Sequence, residues 1–193
     1  EMWMAMEQDH ARFESLAMPH LNAAYNLARW LTHNDHDAED VVHESVILAM
    51  RYIGSFRGES ARAWLLQIVR NTTFSWLREN RSADVVALDD NDDSLQQVAA
   101  PSAEEPPALA MRNADRRQIN DAIAALPVVY REALVLRELE DLSYAEIARI
   151  ADVPIGTVMS RLARARALMR EALTPSARPA LRPVPRVVNG GNK

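Results

Sequence analysis

Between polar breaks, the apolar residues of this 193-residue chain recur at helical spacing. From Phe13 to Trp30 the apolar positions Leu16, Leu21, Ala24, Tyr25 and Ala28, running on to Leu31, predict a first amphipathic helix. Pro19, in its early turns, marks a kink or the helix's true start. Thr32–Asp35 (THND) breaks the pattern with turn and cap residues. A second helix follows over Asp37–Ile53, its inward stripe being Ala38, Val41, Val42, Leu48, Ala49 and Tyr52. Gly54–Ser60, with two glycines and Phe56, reads as a loop. A third helix over Ala61–Arg78 holds Trp64, Leu65, Ile68, Val69, Phe74 and Trp76.

The pattern then lapses over residues 82–111, which carry seven acidic residues, three prolines and no Lys or Arg. Such a segment buries too little apolar surface to offset its ordering entropy, so it reads as a linker. Helical spacing resumes at about Arg116–Leu126, Val128–Glu138, Ser143–Ala151 and Pro154–Leu173. The expected architecture is all-α: a 1–12 extension, a small helical domain over 13–81, the acidic linker over 82–111, a second helical domain over 112–173, and a disordered Pro- and Arg-rich tail over 174–193.

The last two helices organise the second domain. Ser143 and Glu146 have the S-x-x-E spacing of a capping box. Ile147, Ala148 and Ala151 form the inward face of the first helix, and the two small alanines allow a close approach. Asp152 and Val153 make a tight turn, and Pro154 suits the first position of the next helix. That helix carries Val158, Leu162, Ala165 and Met169 on one stripe and Arg161, Arg164, Arg166 and Arg170 elsewhere. An arginine-bearing second helix in such a pair can enter a DNA major groove. An ordinary αα-hairpin with solvated arginines has the same periodicity.

Composition changes this picture in two ways. The net charge of −5 divides into 8 basic and 18 acidic residues over 1–111 against 14 basic and 9 acidic over 112–193. Halves of −10 and +5 suggest different partners, the basic half being the candidate for phosphate. The chain has no cysteine, which excludes disulfides and thiolate metal sites and suits a reducing, cytoplasmic setting. No apolar run reaches the ~18 residues of a membrane span, and the start of the chain lacks the pattern of a signal peptide.

Two features of the first domain invite a function. The cluster Asp35, Asp37, Glu39, Asp40 and Glu44 fits either a capped, soluble helix start or a surface for a basic partner. Along Arg62–Arg78 basic residues interleave with aromatics, which suits either a single-stranded nucleic-acid surface or a core helix with inward tryptophans. His33, His36 and His43 lack the spacing of a metal site and read as surface histidines. No cofactor, nucleotide or hydrolase motif is present, so neither an enzyme nor a small-molecule substrate is indicated.

Taken in order, HDAEDVVHESVILAMRYIGSFRG, ARAWLLQIVRNTTFSWLREN, the acidic linker and LPVVYREALVLRELEDLSYAEIARIADVPIGTVMSRLARAR resemble a bacterial sigma factor of the extracytoplasmic-function (ECF) class, from Phe13 to about Leu173. The resemblance implies a transcription initiation factor with a region-2-like and a region-4-like domain. It implies that Asp37, Ala38, Glu39, Asp40, Val41, Glu44 and Leu48 dock on the clamp helices of the largest subunit of core RNA polymerase. It assigns melting of the promoter −10 element to a pool of Phe56, Arg62, Trp64, Arg70, Asn71, Trp76 and Arg78, in which some aromatics must be core. It assigns −35 contacts to Thr157, Ser160, Arg161, Arg164 and Arg166. Met159 stands where many relatives have Lys or Arg, and Asp152 where a turn glycine is common. The resemblance further implies an anti-sigma factor partner, often membrane-bound in the family, and a linker that threads the polymerase's channels. The alternatives are a stand-alone helix-turn-helix regulator and a sigma mimic that titrates an anti-sigma factor.

Overall fold

The computed structural model describes residues 2–58, 60–80 and 107–174, and every regular element among them is helical. α1 (Met2–Leu16), α2 (Leu21–Thr32), α3 (Asp35–Tyr52) and α4 (Ala61–Asn80) build the first domain. α5 (Pro107–Ala124), α6 (Val128–Leu134), α7 (Tyr144–Ala151) and α8 (Ile155–Leu173) build the second. The expected linker over 82–111 lies outside the described residues up to 106, and the expected tail lies outside them from 175.

Three boundaries differ from the sequence reading. Helix begins at Met2, and the chain breaks at a short 3-10 turn over Met18–His20 with Pro19 inside it, so the single helix expected over 13–30 is two. Proline lacks the N–H that would continue the α-helical ladder, which places the break there. α5 starts at Pro107, five residues inside the expected linker, where proline's fixed φ suits a first helical position. Tyr52, expected on the inward stripe of α3, is exposed; Ser45 holds the buried position instead, its hydroxyl donating to Val41 O at 2.7 Å.

In the first domain α2, α3 and α4 pack mutually around Leu27, Leu31, Val41, Leu65, Leu66 and Val69, all fully buried. The break before α3 is a cap: Asn34 Oδ1 accepts from His36 N at 2.8 Å and Asp37 N at 3.1 Å. The second domain centres on Leu136, Ile147, Ile150 and Leu162. α6 runs into a wide π turn over Val135–Leu139, after which Glu140 lies buried against the first domain. Arg131, itself buried, donates through Nη1 to Ala124 O at 2.6 Å and Leu126 O at 3.0 Å, satisfying carbonyls at and just beyond the end of α5.

The α7–α8 unit forms as its sequence predicts. Glu146 N donates to Ser143 Oγ at 3.2 Å, and Ser143 N donates to Glu146 Oε2 at 2.9 Å. Asp152 closes α7 in the left-handed conformation, at φ 53°, and Val153 N donates back to Ala148 O at 3.1 Å. The two hydrogen bonds from Ser143 hold the Glu146 carboxyl below its ordinary pKa. Its stabilising contribution is therefore complete above the unfolded-state value and is lost as pH falls through the lower folded value. Ser143→Ala should cost about 1 kcal/mol in urea unfolding at neutral pH. The difference from wild type should shrink in acid; a pH-independent difference would refute the assignment.

Candidate polymerase and DNA surfaces

The acidic surface is built on the first three turns of α3. Glu39, Asp40 and Glu44 are exposed and Asp37 is half-buried. Ala38 and Val41 are fully buried in the domain core, and Leu48 is half-buried. These two members of the docking set implied by the resemblance thus lie in the core that supports the helix. Asp35 pairs with Arg29 Nε at 2.5 Å and pins the start of the helix. Further along, Ile47 and Met50 are exposed at 48% and 41%. Helical spacing sets Ile47 on the same face as Asp40 and Glu44. The sequence reading left both apolar residues off the inward stripe of the helix and gave them no role.

α4 separates into covered and open positions. Phe56, in the loop before α4 and 8% exposed, lies in the core with its ring 5.1 Å from that of Trp64, so within the pool read from sequence it is one of the core aromatics. Trp64 and Trp76 are half-buried against the same core. Arg62 Nη2 pairs with Glu140 Oε2 at 2.5 Å. Arg70 Nε donates to Glu132 Oε1 at 2.7 Å, its guanidinium 4.1 Å above the Phe74 ring. Both acceptors belong to the second domain. Asn71 and Arg78 remain exposed.

On α8 the exposed face and the arginine set only partly coincide. Ser160 and Arg164 are exposed and Thr157 is half-buried. Arg166 is exposed and paired with Glu138, Nη2 to Oε1 at 2.7 Å. Arg161 turns inward: its side chain keeps 18% exposure, and Nη1 lies 3.8 Å from Oε2 of the fully buried Glu132. Burial pushes the Glu132 carboxyl pKa up, and Arg70 and Arg161 only partly oppose this. Arg161 therefore supports a buried charge, whereas the sequence reading placed it among the DNA contacts. Ile155 and Met159, one turn apart, are exposed at 48% and 54%, and nothing lies within 4 Å of a side-chain position on Gly156. These three join Ser160 and Arg164 on the open side near the start of α8.

Among the described residues no group of His, Asp and Glu could hold a metal ion, and no helix is long and apolar enough to cross a membrane.

Residues 16–83 match Sigma-70 region 2, and residues 116–169 match Sigma-70, region 4. The chain is 35% identical over 181 residues to the RNA polymerase sigma-H factor of Pseudomonas aeruginosa, covering 89% of this chain and 91% of that protein. It is 40% identical over 158 residues to the ECF RNA polymerase sigma-E factor of Haemophilus influenzae, covering 77% of this chain and 80% of that one. Its fold is similar to that of the sigma factor RpoE in complex with the anti-sigma factor NepR from Bartonella quintana, with a TM-score of 0.65 at 29% identity over 85% of this chain and 98% of the other.

Proposed function

Because the chain belongs to the ECF family of RNA polymerase sigma factors, which direct the polymerase to promoters and are not themselves enzymes, we propose a division of labour among three of its surfaces. The exposed acidic and apolar face of α3, with Asp37, Glu39, Asp40, Glu44, Ile47 and Leu48, docks on core polymerase at the clamp helices of its largest subunit. Carboxylates facing arginines make charge-assisted hydrogen bonds, and Ile47 supplies apolar area between them.

α4 reads and opens the −10 element through Asn71, Arg78, Trp64 and Trp76, joined by Arg62 and Arg70 once these leave their carboxylates. Capturing an extruded base offsets the few kcal/mol that unstacking costs, so melting needs no catalytic group. α8 enters the major groove of the −35 element. Ser160 and Arg164 bond to bases or phosphates, Ile155 and Met159 offer apolar contact to thymine methyls, and Thr157 and Arg166 flank them. The observation that carries this reading is the pairing of a capped helix-turn-helix with an open, arginine-bearing second helix. An anti-sigma factor is the expected regulatory partner, supported by the resemblance to a sigma factor held in such a complex.

Run-off transcription tests the reading directly. Core polymerase with this protein should initiate at discrete start sites on genomic fragments that core polymerase alone leaves silent. Specific duplex binding without polymerase, together with no new transcripts in its presence, would establish a stand-alone regulator instead.

A further inference from the structure

No charged residue lies between Asp152 and Arg161, so the start of α8 offers a phosphate no cation. What it exposes is apolar. Ile155, Met159 and Ala163 stand at i, i+4 and i+8 and form one ridge along the helix. The first two are 48% and 54% exposed, and Ala163 is exposed as well. Gly156 and Ser160 run beside the ridge, and the open space over Gly156 leaves its flank low. The buried stripe of Val158, Leu162 and Ala165 lies on another side of α8 and is complete without these residues. Two nearby arginines are engaged within the chain, Arg161 toward Glu132 and Arg166 with Glu138. Arg164, exposed, is the nearest cation outside these pairs.

One feature of the base pairs in a major groove is apolar: the C5-methyl group of thymine, which 5-methylcytosine also carries. We propose that Ile155, Met159 and Ala163 form a methyl-reading ridge, which selects a pyrimidine of the −35 element by its C5-methyl group. This rests on the assignment of α8 as the −35 reader and deepens it, since the feature selected is a methyl group rather than a hydrogen-bonding edge. The ridge has no strong donor or acceptor with which to tell the O4 of thymine from the N4 amine of cytosine. A cytosine methylated at C5 therefore counts as a thymine at that position, and promoter strength becomes sensitive to cytosine methylation. Burying one methyl-sized carbon is worth about fourfold in affinity.

Binding of the holoenzyme to duplex promoter DNA measures this directly, with the −35 segment taken from a promoter mapped by run-off transcription. Replacing each thymine of either strand in turn by deoxyuridine removes only the methyl group. At one or two positions it should weaken binding about fourfold. That ratio should persist as salt rises, because an apolar contact is not screened. With Ile155→Ala and Met159→Ala together, the same replacement should have no effect. Both residues are exposed, so the core of α8 is untouched. At the sensitive position, 5-methylcytosine paired with guanine should bind about fourfold more tightly than cytosine.

Binding indifferent to deoxyuridine at every −35 thymine would overturn the proposal. So would a uridine effect that survives the double truncation, since the methyl group would then act through the stiffness of the DNA. A methylated cytosine that binds no better than cytosine would overturn it as well. Arg164→Ala tests the underlying assignment separately. If it weakens binding while deoxyuridine does nothing, α8 reads the element without the ridge; if neither changes binding, α8 is not its reader.

Discussion

Replacing Arg161 by alanine is expected to destabilise the second domain before it changes any promoter preference. Glu132 is fully buried, its Oε2 accepts no hydrogen bond, and Arg161 is the cation beside that oxygen. Removing the only partner of a buried charge costs about 3–5 kcal/mol. Arg70 still serves the other oxygen and Arg161 makes no hydrogen bond to Glu132, so the loss should be smaller, about 1–3 kcal/mol. Chemical denaturation of the whole chain should show it as an earlier transition of the second domain.

Removing the charge itself should act in the opposite direction. The raised pKa of Glu132 means that the fold binds this proton more tightly than the unfolded chain does. Its contribution is therefore most favourable below the unfolded-state value and is lost as pH rises through the raised one, leaving a net cost at neutral pH. Glu132→Gln should hold or raise the melting temperature at neutral pH, with an advantage that shrinks in acid. Combined with Arg161→Ala it should restore most of the loss, because the orphaned charge is gone. If Arg161→Ala instead keeps full stability and loses −35 recognition, then Arg161 is a reader and its inward placement is irrelevant to its role.

Reversing both Asp37 and Asp40 to lysine is expected to abolish transcription while leaving the fold intact. Asp40 is exposed and Asp37 half-buried at the start of α3, where a carboxylate favours the helix dipole by only about 0.3–1 kcal/mol. The cap that starts the helix, Asn34, is untouched. Against a basic partner the same change replaces two attractions with two repulsions, and like charges set opposite each other across an interface cost several kcal/mol. Co-purification with core polymerase should fall by a factor on the order of 100 or more, since each 1.4 kcal/mol is tenfold. Helical circular dichroism and the unfolding midpoint should stay close to wild type. Undiminished transcription by the double variant would remove this face of α3 from the docking surface.

Much of this molecule is written locally in its sequence. The capping box at Ser143 and Glu146, the tight turn at Asp152 and the inward stripe of Val158, Leu162 and Ala165 depend on neighbours within a few residues, and all form as read. So do the ordered motifs that place the chain among the ECF sigma factors, because a family likeness is itself a property of the one-dimensional string. Boundaries were less legible. Pro19 signalled a break without saying whether the chain before it was helical, and the structure puts α1 there.

What only the tertiary structure decided is which polar and aromatic side chains face inward. Arg161 and Arg164 lie on the same helix, and periodicity set both outside its apolar stripe; one turns in because Glu132, from another helix, sits buried beside it. Phe56 carries the same chemistry whether it stacks on a base or packs in the core, and the folding of its loop against Trp64 of α4 put it in the core. Arg62 and Arg70 meet Glu140 and Glu132 across the whole intervening sequence. A local pattern specifies the phase of a helix, but the partner across an interface is set by three-dimensional closure, which no window of sequence contains.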